Sequence, residues 1–340
     1  MEINRWSPYF FKNGITSANR IVVPPMASQT ANASGFVTQK TLEHYKNLSQ
    51  SGAGIVFVEY SFIHQSGKGE ANQLGADSDV KIPGLRELAK TIKSHGALAG
   101  FQIVHAGGKT SSEITGQPLL GASAKSVPVK GWEPKVPLEI PLDKTESYIS
   151  WYIEAAKRIG ESGFDIVELH AAHGYGLNQW LSPITNHRED KFGGSLENRA
   201  NLLIEIIRGI RIQNRKLLIS VRIPAQDHMP GGLQIEDMQR VVRLLQQNEV
   251  DIINVSSGIG GWRRPEGRTG EGYLVRDASQ IKLATSLPVI GVGGIENGKT
   301  IDEMLREGQL DFAAVGRAIL KDPAAWKMSH LYSKNLGAAI

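Results

Sequence analysis

Eight short apolar runs are spread along the whole chain, and they constrain the fold more than any other feature of the sequence. The runs are rich in Val and Ile, as strands buried on both faces of a sheet are. In chain order they cover residues 21–26, 55–59, 98–104, 166–170, 217–223, 252–255, 289–292 and 312–315. The sequence therefore predicts eight buried β-strands.

Segments with a helical period lie between these runs. Apolar residues within 148–159, 202–210 and 238–245 fall on one helical face in each segment. Strands that alternate with helices form parallel sheets, and a count of eight closes such a sheet into a barrel. We therefore predict a (β/α)8 TIM barrel that forms a single domain over residues 1–340. An open α/β sheet is the alternative.

One connection is longer than a simple crossover requires. Residues 107–141 follow the third run and contain five prolines but few periodic apolar positions. Long connections without regular structure often carry function. We expect a lid-like loop or hairpin that caps the mouth of the barrel, with an inert surface excursion as the alternative.

The composition excludes several classes of function. The 340 residues include no cysteine, so disulfides, thiolate nucleophiles, zinc–thiolate sites and iron–sulfur clusters are excluded. The formal net charge of +4 comes from charges scattered along the chain, so no nucleic-acid partner is expected. No apolar run is long enough to span a membrane and no signal-like segment opens the chain. These features predict a cytoplasmic protein without a membrane partner.

Polar residues and glycines follow the predicted strands, at the end of a barrel where active sites are built. The richest group is His170, His173 and Tyr175, after the fourth run. The remaining candidates, in chain order, are Pro24, Pro25, Met26, Ala27, Glu59, Tyr60, Gln102, His105, Arg222, Gly293, Gly294, Gly316 and Arg317. We expect these residues to form one ring at the mouth of the barrel.

The glycines after the last two strands indicate a phosphate site. Gly293, Gly294 and Gly316 would let backbone N–H groups approach an anion closely, because no Cβ intervenes. Arg317 would add a bidentate cation. Tight turns that need glycine are the alternative explanation.

Two polar side chains lie within otherwise apolar strands. Arg222 needs either a carboxylate partner or an electron-rich ring that becomes anionic on reduction. The amide of Gln102 can both donate to and accept from the pyrimidine edge of a flavin. Both residues are therefore candidates for flavin binding.

The two histidines and the nearby tyrosine indicate carbonyl chemistry. Two imidazoles can polarise a carbonyl oxygen while a phenol delivers a proton. Core histidines or a metal pair are the alternatives, and a metal would need a third ligand such as His105 or Glu168. Tyr175 favours hydride chemistry with a final protonation, since a zinc site would not require it. We therefore predict that His170, His173 and Tyr175 are catalytic and bind substrate, without a metal.

At these residues the chain resembles the old yellow enzyme family of FMN-dependent ene-reductases, most closely its YqjM-like bacterial branch. The matching motifs cover nearly the whole chain and follow one another in the family's order. They are NRIVVPPM at 19–26, HAAHGY at 170–175, FGGSLENR at 192–199 and VGR at 315–317.

The resemblance implies an FMN-dependent NAD(P)H oxidoreductase that reduces the activated C=C bond of α,β-unsaturated carbonyl or nitro compounds. NADPH or NADH would reload the flavin in a ping-pong cycle, and hydride from flavin N5 would reach the substrate Cβ. His170 and His173 would bind the oxygen of the electron-withdrawing group, and Tyr175 would protonate Cα. The residues implied to hold FMN are Pro24, Pro25, Met26, Ala27, Tyr60, Gln102, Arg222, Gly293, Gly294, Gly316 and Arg317.

Three positions depart from the family's pattern. Ala27 stands where many members have a cysteine, so no thiol would tune the flavin there. The family's substrate-contacting tyrosine is replaced near Gln29, which we expect to contact substrate. Tyr60 stands where the family often has a small residue, and we expect it to crowd or stack against the cofactor. These departures predict an atypical substrate range.

Two further segments lie outside the shared motifs. The tail, residues 332–340, lacks the arginine that some relatives insert into a neighbouring subunit's site, so a homo-oligomer is expected but shared active sites are not. The loop with Trp262, Arg263, Arg264 and Arg268 lies near the predicted mouth. Our hypothesis is that it binds the phosphates of the nicotinamide cofactor or an acidic substrate, with a solvated loop as the alternative.

Two other functions stay open at this point. One is a flavin-dependent dehydrogenase or demethylase on the same barrel, which would oxidise an amine or an alcohol. The other is a flavin-binding or metal-binding protein without turnover.

Overall fold

The computed structural model describes residues 2–129, 131 and 133–331. The tail at 332–340, on which the prediction about shared active sites rests, lies outside the described residues. Within the described part of the chain, no helix is long and apolar enough to cross a membrane.

Eight parallel strands close into a barrel, which confirms the predicted fold. The barrel strands are β3 (Ile21–Val23), β4 (Ile55–Phe62), β5 (Leu98–Val104), β8 (Ile166–His170), β9 (Leu218–Pro224), β10 (Ile252–Ser256), β11 (Val289–Gly291) and β12 (Phe312–Ala314). Their order around the barrel is β10-β11-β12-β3-β4-β5-β8-β9, and β9 pairs with β10 to close it. Each strand coincides with one of the predicted apolar runs.

Helices between the strands cover the outside of the barrel with their apolar faces. The helices are α1 (Gln39–Ser49), α2 (Ile82–Lys93), α3 (Ser112–Thr115), α4 (Leu142–Glu161), α5 (Gly176–Leu181), α6 (Leu196–Gln213), α7 (Ile235–Gln247), α8 (Val275–Lys282), α9 (Gly298–Arg306), α10 (Arg317–Lys321) and α11 (Pro323–Trp326). Short 3-10 turns occur at Gln65–Gly67 and Asp79–Lys81, and a π-helical turn at Lys327–Leu331. The three predicted helical faces belong to α4, α6 and α7.

A short antiparallel pair precedes the barrel, formed by β1 (Tyr9–Phe10) and β2 (Thr16–Ser17). The ring of Phe11, just after β1, stacks on Phe312 of β12 with the ring centroids 6.1 Å apart. Phe11 also packs among inward-facing strand residues such as Val22 and Ile55. This end of the barrel is therefore filled by apolar side chains, and the opposite end is left for polar residues.

The long connection at 107–141 contains α3 and two short strands, β6 (Leu120–Gly121) and β7 (Leu138–Glu139). These strands pair in parallel, so the segment is not a β-hairpin. A Cβ atom placed on Gly174 would lie 2.9 Å from Cγ1 of Val127, so the segment packs beside the turn after β8. The segment is therefore a loop with a small parallel pair.

Strand β4 contains a β-bulge near its carboxyl end. Val58 pairs with Phe101 of β5, whereas the next pair joins Ser61 with Ile103, so β4 has one residue more than its partner. The bulge therefore covers Glu59 and Tyr60. A bulge re-aims the side chains that it contains, and this one determines where Tyr60 points.

Candidate active site

A cavity of about 600 Å³ lies at the carboxyl ends of the barrel strands. Its size is that of a typical cofactor or ligand pocket. The lining brings together residues from all parts of the chain that were predicted to meet there. These are Pro24, Pro25, Met26, Ala27, Tyr60, Gln102, His170, His173, Tyr175, Arg222, Gly294, Gly316 and Arg317.

Four predicted residues do not line this cavity. Glu59 is buried in the bulge of β4, where its Oε2 accepts from the backbone N–H of Ser28 over 2.7 Å. Gln29 is exposed on the irregular segment after β3, where its φ of 52° is in the left-handed region, and its contact with substrate stays a prediction. Gly293 lies next to the lining residue Gly294, with a φ of 132°. His105 is fully buried beside Tyr148 and Trp151, and its Nε2 lies 3.0 Å from Oγ of Ser66.

His170, His173 and Tyr175 lie against one another where β8 ends. The ring centroids of His170 and His173 are 5.0 Å apart, and those of His170 and Tyr175 are 4.9 Å apart. The chain turns sharply here, because His173 has a φ of 61° and the following residue, Gly174, has a φ of 74°. The turn brings three functional side chains from a single segment to one wall of the cavity.

The imidazole of His170 is a neutral hydrogen-bond donor. Burial, followed by the charges of Arg222 and Lys109, lowers its pKa well below the usual value. The backbone N–H of Ala172 points at Nδ1 over 3.4 Å, which assigns Nδ1 as the acceptor. Nε2 then bears the proton.

The second imidazole belongs to a short hydrogen-bonded chain. Oγ of Ser256 accepts from Nη2 of Arg222 over 3.2 Å and lies 2.7 Å from Nε2 of His173. A serine hydroxyl that accepts from arginine can donate its own proton onward, which leaves the proton of His173 on Nδ1. Burial and then the charge of Arg222 lower the pKa of His173 well below its usual value, so this ring is neutral too.

The phenol of Tyr175 is in contact with two other side chains. Its ring centroid lies 5.2 Å from that of Tyr60 and 4.0 Å from Nζ of Lys109. Burial raises the pKa of Tyr175 to about 12, and a hydrogen bond from Tyr60 opposes that rise. Lys109 also donates to the carbonyl oxygen of His173 over 2.8 Å, and burial lowers its pKa to about 8. Tyr175 is therefore protonated at neutral pH.

Gln102 is held from below by a buried carboxylate. Its Nε2 donates to Glu168 over 2.8 Å, and Glu168 also accepts from Oγ of Ser220 and Nδ2 of Asn254. Burial raises the pKa of Glu168. The Oε1 atom of Gln102 is thereby left for a ligand. The carboxylate is committed to these donors, and within the described part of the chain no three His, Asp or Glu residues are grouped as metal ligands.

These residues fit the isoalloxazine of FMN. Nε of Arg222 is buried without a hydrogen-bond partner, although Arg222 lines the cavity. A buried cation with an unpaired donor suits the carbonyl edge of a flavin, where negative charge develops on reduction. Pro25, Met26 and Ala27 line the same cavity as Gln102, which supplies an apolar surface next to the polar one.

The opposite end of the cavity fits a phosphate. Gly294, Gly316 and Arg317 line it at the ends of β11 and β12, as predicted. Arg264 adds a second guanidinium: its Nη2 atom would lie 3.5 Å from a Cβ atom placed on Gly294. Two cations and exposed glycine backbone are what a phosphate dianion needs.

The three arginines of the loop at 262–268 make different contacts. Arg264 stacks over the ring of Tyr273, 4.5 Å from its centroid, and lines the cavity together with Trp262. The guanidinium of Arg263 faces Gly131 of the long connection. Arg268 pairs with Asp277 of α8 over 2.8 Å. Arg264 and Trp262 are therefore placed to meet a ligand, and Arg268 holds the loop.

Several residues that line the cavity or lie against its lining were not predicted from the sequence. Ser256 ends β10, so its place at a strand end was a usable signal. Glu70 and Tyr273 lie in loops and had no such signal. Lys109 is in the long connection, where the prolines gave no indication of a buried cation.

Comparisons with known proteins identify the family of this chain. Residues 6–330 match the NADH:flavin oxidoreductase / NADH oxidase family. The chain is 36% identical to the NADPH dehydrogenase of Geobacillus sp. (strain WCH70), over 100% of this chain and 96% of that enzyme. It is 35% identical to the NADH oxidase of Thermoanaerobacter brockii, over 93% of this chain and 50% of that protein. The chain thus spans about half the length of the second relative.

Solved structures show the same barrel. A 2-naphthoyl-CoA reductase in complex with 2-naphthoyl-CoA superposes with a TM-score of 0.88 at 26% identity, over 95% of this chain and 51% of that one. An old yellow enzyme homologue from Zymomonas mobilis superposes with a TM-score of 0.82 at 22% identity, over 95% of this chain and 91% of that one.

The cavity, the fit of its lining to FMN and the similarity over the whole barrel lead to one conclusion. This chain belongs to the NADH:flavin oxidoreductase / NADH oxidase family, in which it is an oxidoreductase that uses FMN and NAD(P)H.

Proposed function

We propose that this enzyme reduces the activated C=C bond of α,β-unsaturated carbonyl or nitro compounds. One observation carries the proposal: two neutral imidazoles and a protonated phenol share one wall of the cavity, and the rings of His173 and Tyr175 each lie with their centroid about 5 Å from that of His170. Such a group can bind an oxygen that becomes negative and protonate a neighbouring carbon.

The histidines bind the electron-withdrawing group. Nε2–H of His170 and Nδ1–H of His173 act as donors to the carbonyl or nitro oxygen. Neutral donors suit this role, because they stabilise the developing negative charge without giving up their protons to it. The bond between Ser256 and His173 orients the second ring.

Tyr175 supplies the proton. Its phenol stands beside His170, so an oxygen bound by the histidines places the α-carbon of the substrate near the tyrosine hydroxyl. The raised pKa keeps the proton in place until negative charge develops on the substrate.

When bound, FMN would supply the hydride chemistry that connects NAD(P)H with the β-carbon of the substrate. Arg222, Gln102 and the segment from Pro24 to Ala27 would hold its ring system. Gly294, Gly316 and Arg317 would hold its phosphate.

The substrate class follows from the oxygen site. The carbonyl or nitro group must be conjugated with the double bond. The histidines bind the oxygen of that group, and the tyrosine protonates the α-carbon, which is the alkene carbon attached to it. One structural relative is a complex with 2-naphthoyl-CoA, whose conjugated thioester carbonyl is of this class.

Product analysis tests the proposal. The purified enzyme is incubated with NADPH and 2-cyclohexenone in D₂O, and the product is examined by mass spectrometry and NMR. We expect cyclohexanone with one deuterium at Cα, because the hydroxyl of Tyr175 exchanges its proton for deuterium from the solvent and then delivers that deuterium to Cα. No turnover of cyclohexenone or of a nitroalkene, together with flavin reduction by an amine in the absence of NADPH, would support the dehydrogenase alternative instead.

A further inference from the structure

A fully buried carboxylate lies one side chain away from the cavity. Glu168 of β8 is 0% exposed, and its Oε1 accepts from Nε2 of Gln102 over 2.8 Å. Gln102 is itself buried and lines the cavity. A single amide therefore separates Glu168 from the space that fits the flavin ring.

Donors from three other strands of the barrel converge on this carboxylate. Gln102 belongs to β5; Oγ of Ser220 in β9 donates to Oε2 of Glu168 over 2.7 Å, and Nδ2 of Asn254 in β10 donates to the same oxygen over 2.8 Å. Asn254 turns its donor to Glu168 although its own Oδ1 is then buried without a hydrogen-bond partner. Three donors on two oxygens suit an ionised carboxylate, which only accepts.

A buried cation belongs to the same layer of side chains. Arg222 follows Ser220 by two positions in β9, so both side chains are on the same face of the strand. Burial raises the pKa of Glu168, whereas the charge of Arg222 and the three hydrogen bonds lower it. Burial lowers the pKa of Arg222, and the charge of Glu168 opposes that fall. The two side chains therefore stabilise each other's charges at the floor of the cavity.

These charges have opposite effects on a flavin bound above them. Reduction places negative charge on the flavin ring, so a nearby cation favours reduction and a nearby anion disfavours it. Both effects are strong at this site, because charges interact more strongly in a protein interior than in water. Arg222 lines the cavity with an unpaired Nε and would by itself make the flavin easy to reduce.

We propose that Glu168 lowers the reduction potential of bound FMN by offsetting the positive charge of Arg222. Glu168 has no surface in the cavity, so it is a positioning residue that acts through Arg222 and Gln102. The reduced flavin is thereby a stronger hydride donor than it would be beside Arg222 alone. The proposal goes beyond the reduction of conjugated double bonds, because it requires bound FMN but no particular substrate.

The test measures the potential without NADPH or an enone. FMN-loaded wild type, Glu168→Gln and Glu168→Asp are reduced slowly and anaerobically with xanthine and xanthine oxidase in the presence of a reference dye. The absorbances of flavin and dye then give the reduction potential. An enzyme that fails to reduce enones can be measured in the same way, so failure of the proposed ene-reduction is distinguishable from failure of this proposal. Glu87→Gln makes the same change at an exposed position of α2 and is the control.

The two substitutions of Glu168 separate charge from shape. Glu168→Gln keeps the size and the hydrogen-bonding capacity of the side chain but removes its charge. Asn254 can turn its amide and offer its unpaired Oδ1 to the new amide nitrogen, so we expect this variant to fold. Glu168→Asp keeps the charge but shortens the reach toward Gln102. Urea unfolding of each holoenzyme measures the effect on stability separately.

We expect Glu168→Gln to make the flavin easier to reduce. At a fixed potential, the ratio of reduced to oxidised flavin should increase by about 10-fold or more because one buried charge is lost. For a two-electron couple this ratio corresponds to a rise of about 30 mV or more. Glu168→Asp should have a potential closer to that of wild type than to that of Glu168→Gln, and Glu87→Gln should match wild type.

Other results would overturn the proposal. A potential of Glu168→Gln equal to that of wild type would leave Glu168 as a structural link between the strands. Equal shifts in Glu168→Gln and Glu168→Asp would assign the effect to the displaced Gln102 rather than to charge. Infrared spectra of the holoenzyme at neutral pH provide a check that does not need the Gln variant. A protonated-carboxyl band in wild type that moves in Glu168→Asp would show that Glu168 is neutral, and the offset of Arg222 would then be excluded.

Discussion

At the scale of single residues, the two histidines that we propose as catalytic differ in their surroundings although they share one turn. His170 is oriented by the backbone of Ala172, whereas His173 is oriented by Ser256 from β10. The sequence predicted both imidazoles from their spacing and their place after a strand. It could not predict the partner of His173, because Ser256 is 83 positions away and meets it only when the barrel closes.

Tyr175→Phe should separate the two halves of the cycle. Removal of the hydroxyl takes away the proton for Cα, so enone reduction should slow by roughly 10²–10⁴. Flavin reduction by NADPH requires no such proton and should slow much less. Stopped-flow measurement of each half-reaction checks this, and equal slowing of both would argue against the role of Tyr175.

His170→Ala should weaken the binding of phenols. The oxyanion of a phenol resembles the developing charge of the reduced substrate, and loss of one donor to such a charge costs about 10²–10³ in rate. Titration of the flavin absorbance with a para-substituted phenol measures the affinity directly. Phenol affinity that is the same in wild type and variant would exclude His170 from the oxygen site.

At the scale of elements, short loops place the phosphate and mouth residues. The glycines after β11 and β12 were predicted from their strand-end positions, and the structure gives the reason that one of them must be glycine. Gly293 has a φ of 132°, and a Cβ atom there would lie 2.8 Å from the backbone nitrogen of Leu274. The bulge in β4 was not predicted, since a single extra residue leaves the apolar pattern of that run unchanged.

Gly293→Ala should impair FMN binding beyond its effect on stability. The added methyl group must displace the backbone of Leu274 and with it the loop beside Gly294. Gly308→Ala is the matched control, because Gly308 also has a positive φ, 68°, but open space around its Cα. Both variants should lose about 1–3 kcal/mol of folding stability, but only Gly293→Ala should show weaker FMN binding by fluorescence titration. Equal FMN affinity in both would contradict this assignment.

Arg264→Glu should weaken FMN binding by about 10-fold, because Arg264 supplies the second guanidinium at the phosphate end of the cavity, and the effect should shrink at high salt. Arg264 lines the cavity, and Arg263 does not. Arg263→Glu therefore makes the same charge change on the same loop and should leave the FMN affinity, measured by fluorescence titration, close to wild type. An equal loss of FMN affinity in both variants would indicate a general field effect rather than a contact.

At the scale of the whole molecule, the barrel was predictable and the contents of its mouth were partly so. Eight apolar runs with helices between them suffice for closure, because each strand is buried on both faces. Residues at strand ends were predicted with the strands, whereas Glu70 and Lys109 come from loops whose paths a single sequence does not determine. Homo-oligomerisation and a cytoplasmic location stay predictions from the family resemblance and the composition.

Burial of His105 should make the fold sensitive to acid. Burial lowers its pKa in the folded state from 6.5 to about 3, so below pH 6.5 the unfolded chain binds a proton that the folded chain does not. Its contribution to stability is therefore lost as pH falls, by about 1.4 kcal/mol per pH unit. His105→Gln removes this dependence. In urea unfolding, the free energy of unfolding of the variant should therefore rise relative to that of wild type as the pH is lowered from 6.5 to 5. A constant difference across this range would contradict the assignment.

The central claim is that one cavity holds FMN, takes hydride from NAD(P)H and delivers it to a conjugated double bond. The most direct measurement is the visible absorption spectrum of the purified protein, followed anaerobically as NADPH and then 2-cyclohexenone are added. The account predicts an oxidised flavin spectrum that bleaches with NADPH and returns with the enone, once for each equivalent. A protein that binds no FMN on reconstitution, or a bleached flavin that no conjugated acceptor restores, would contradict it.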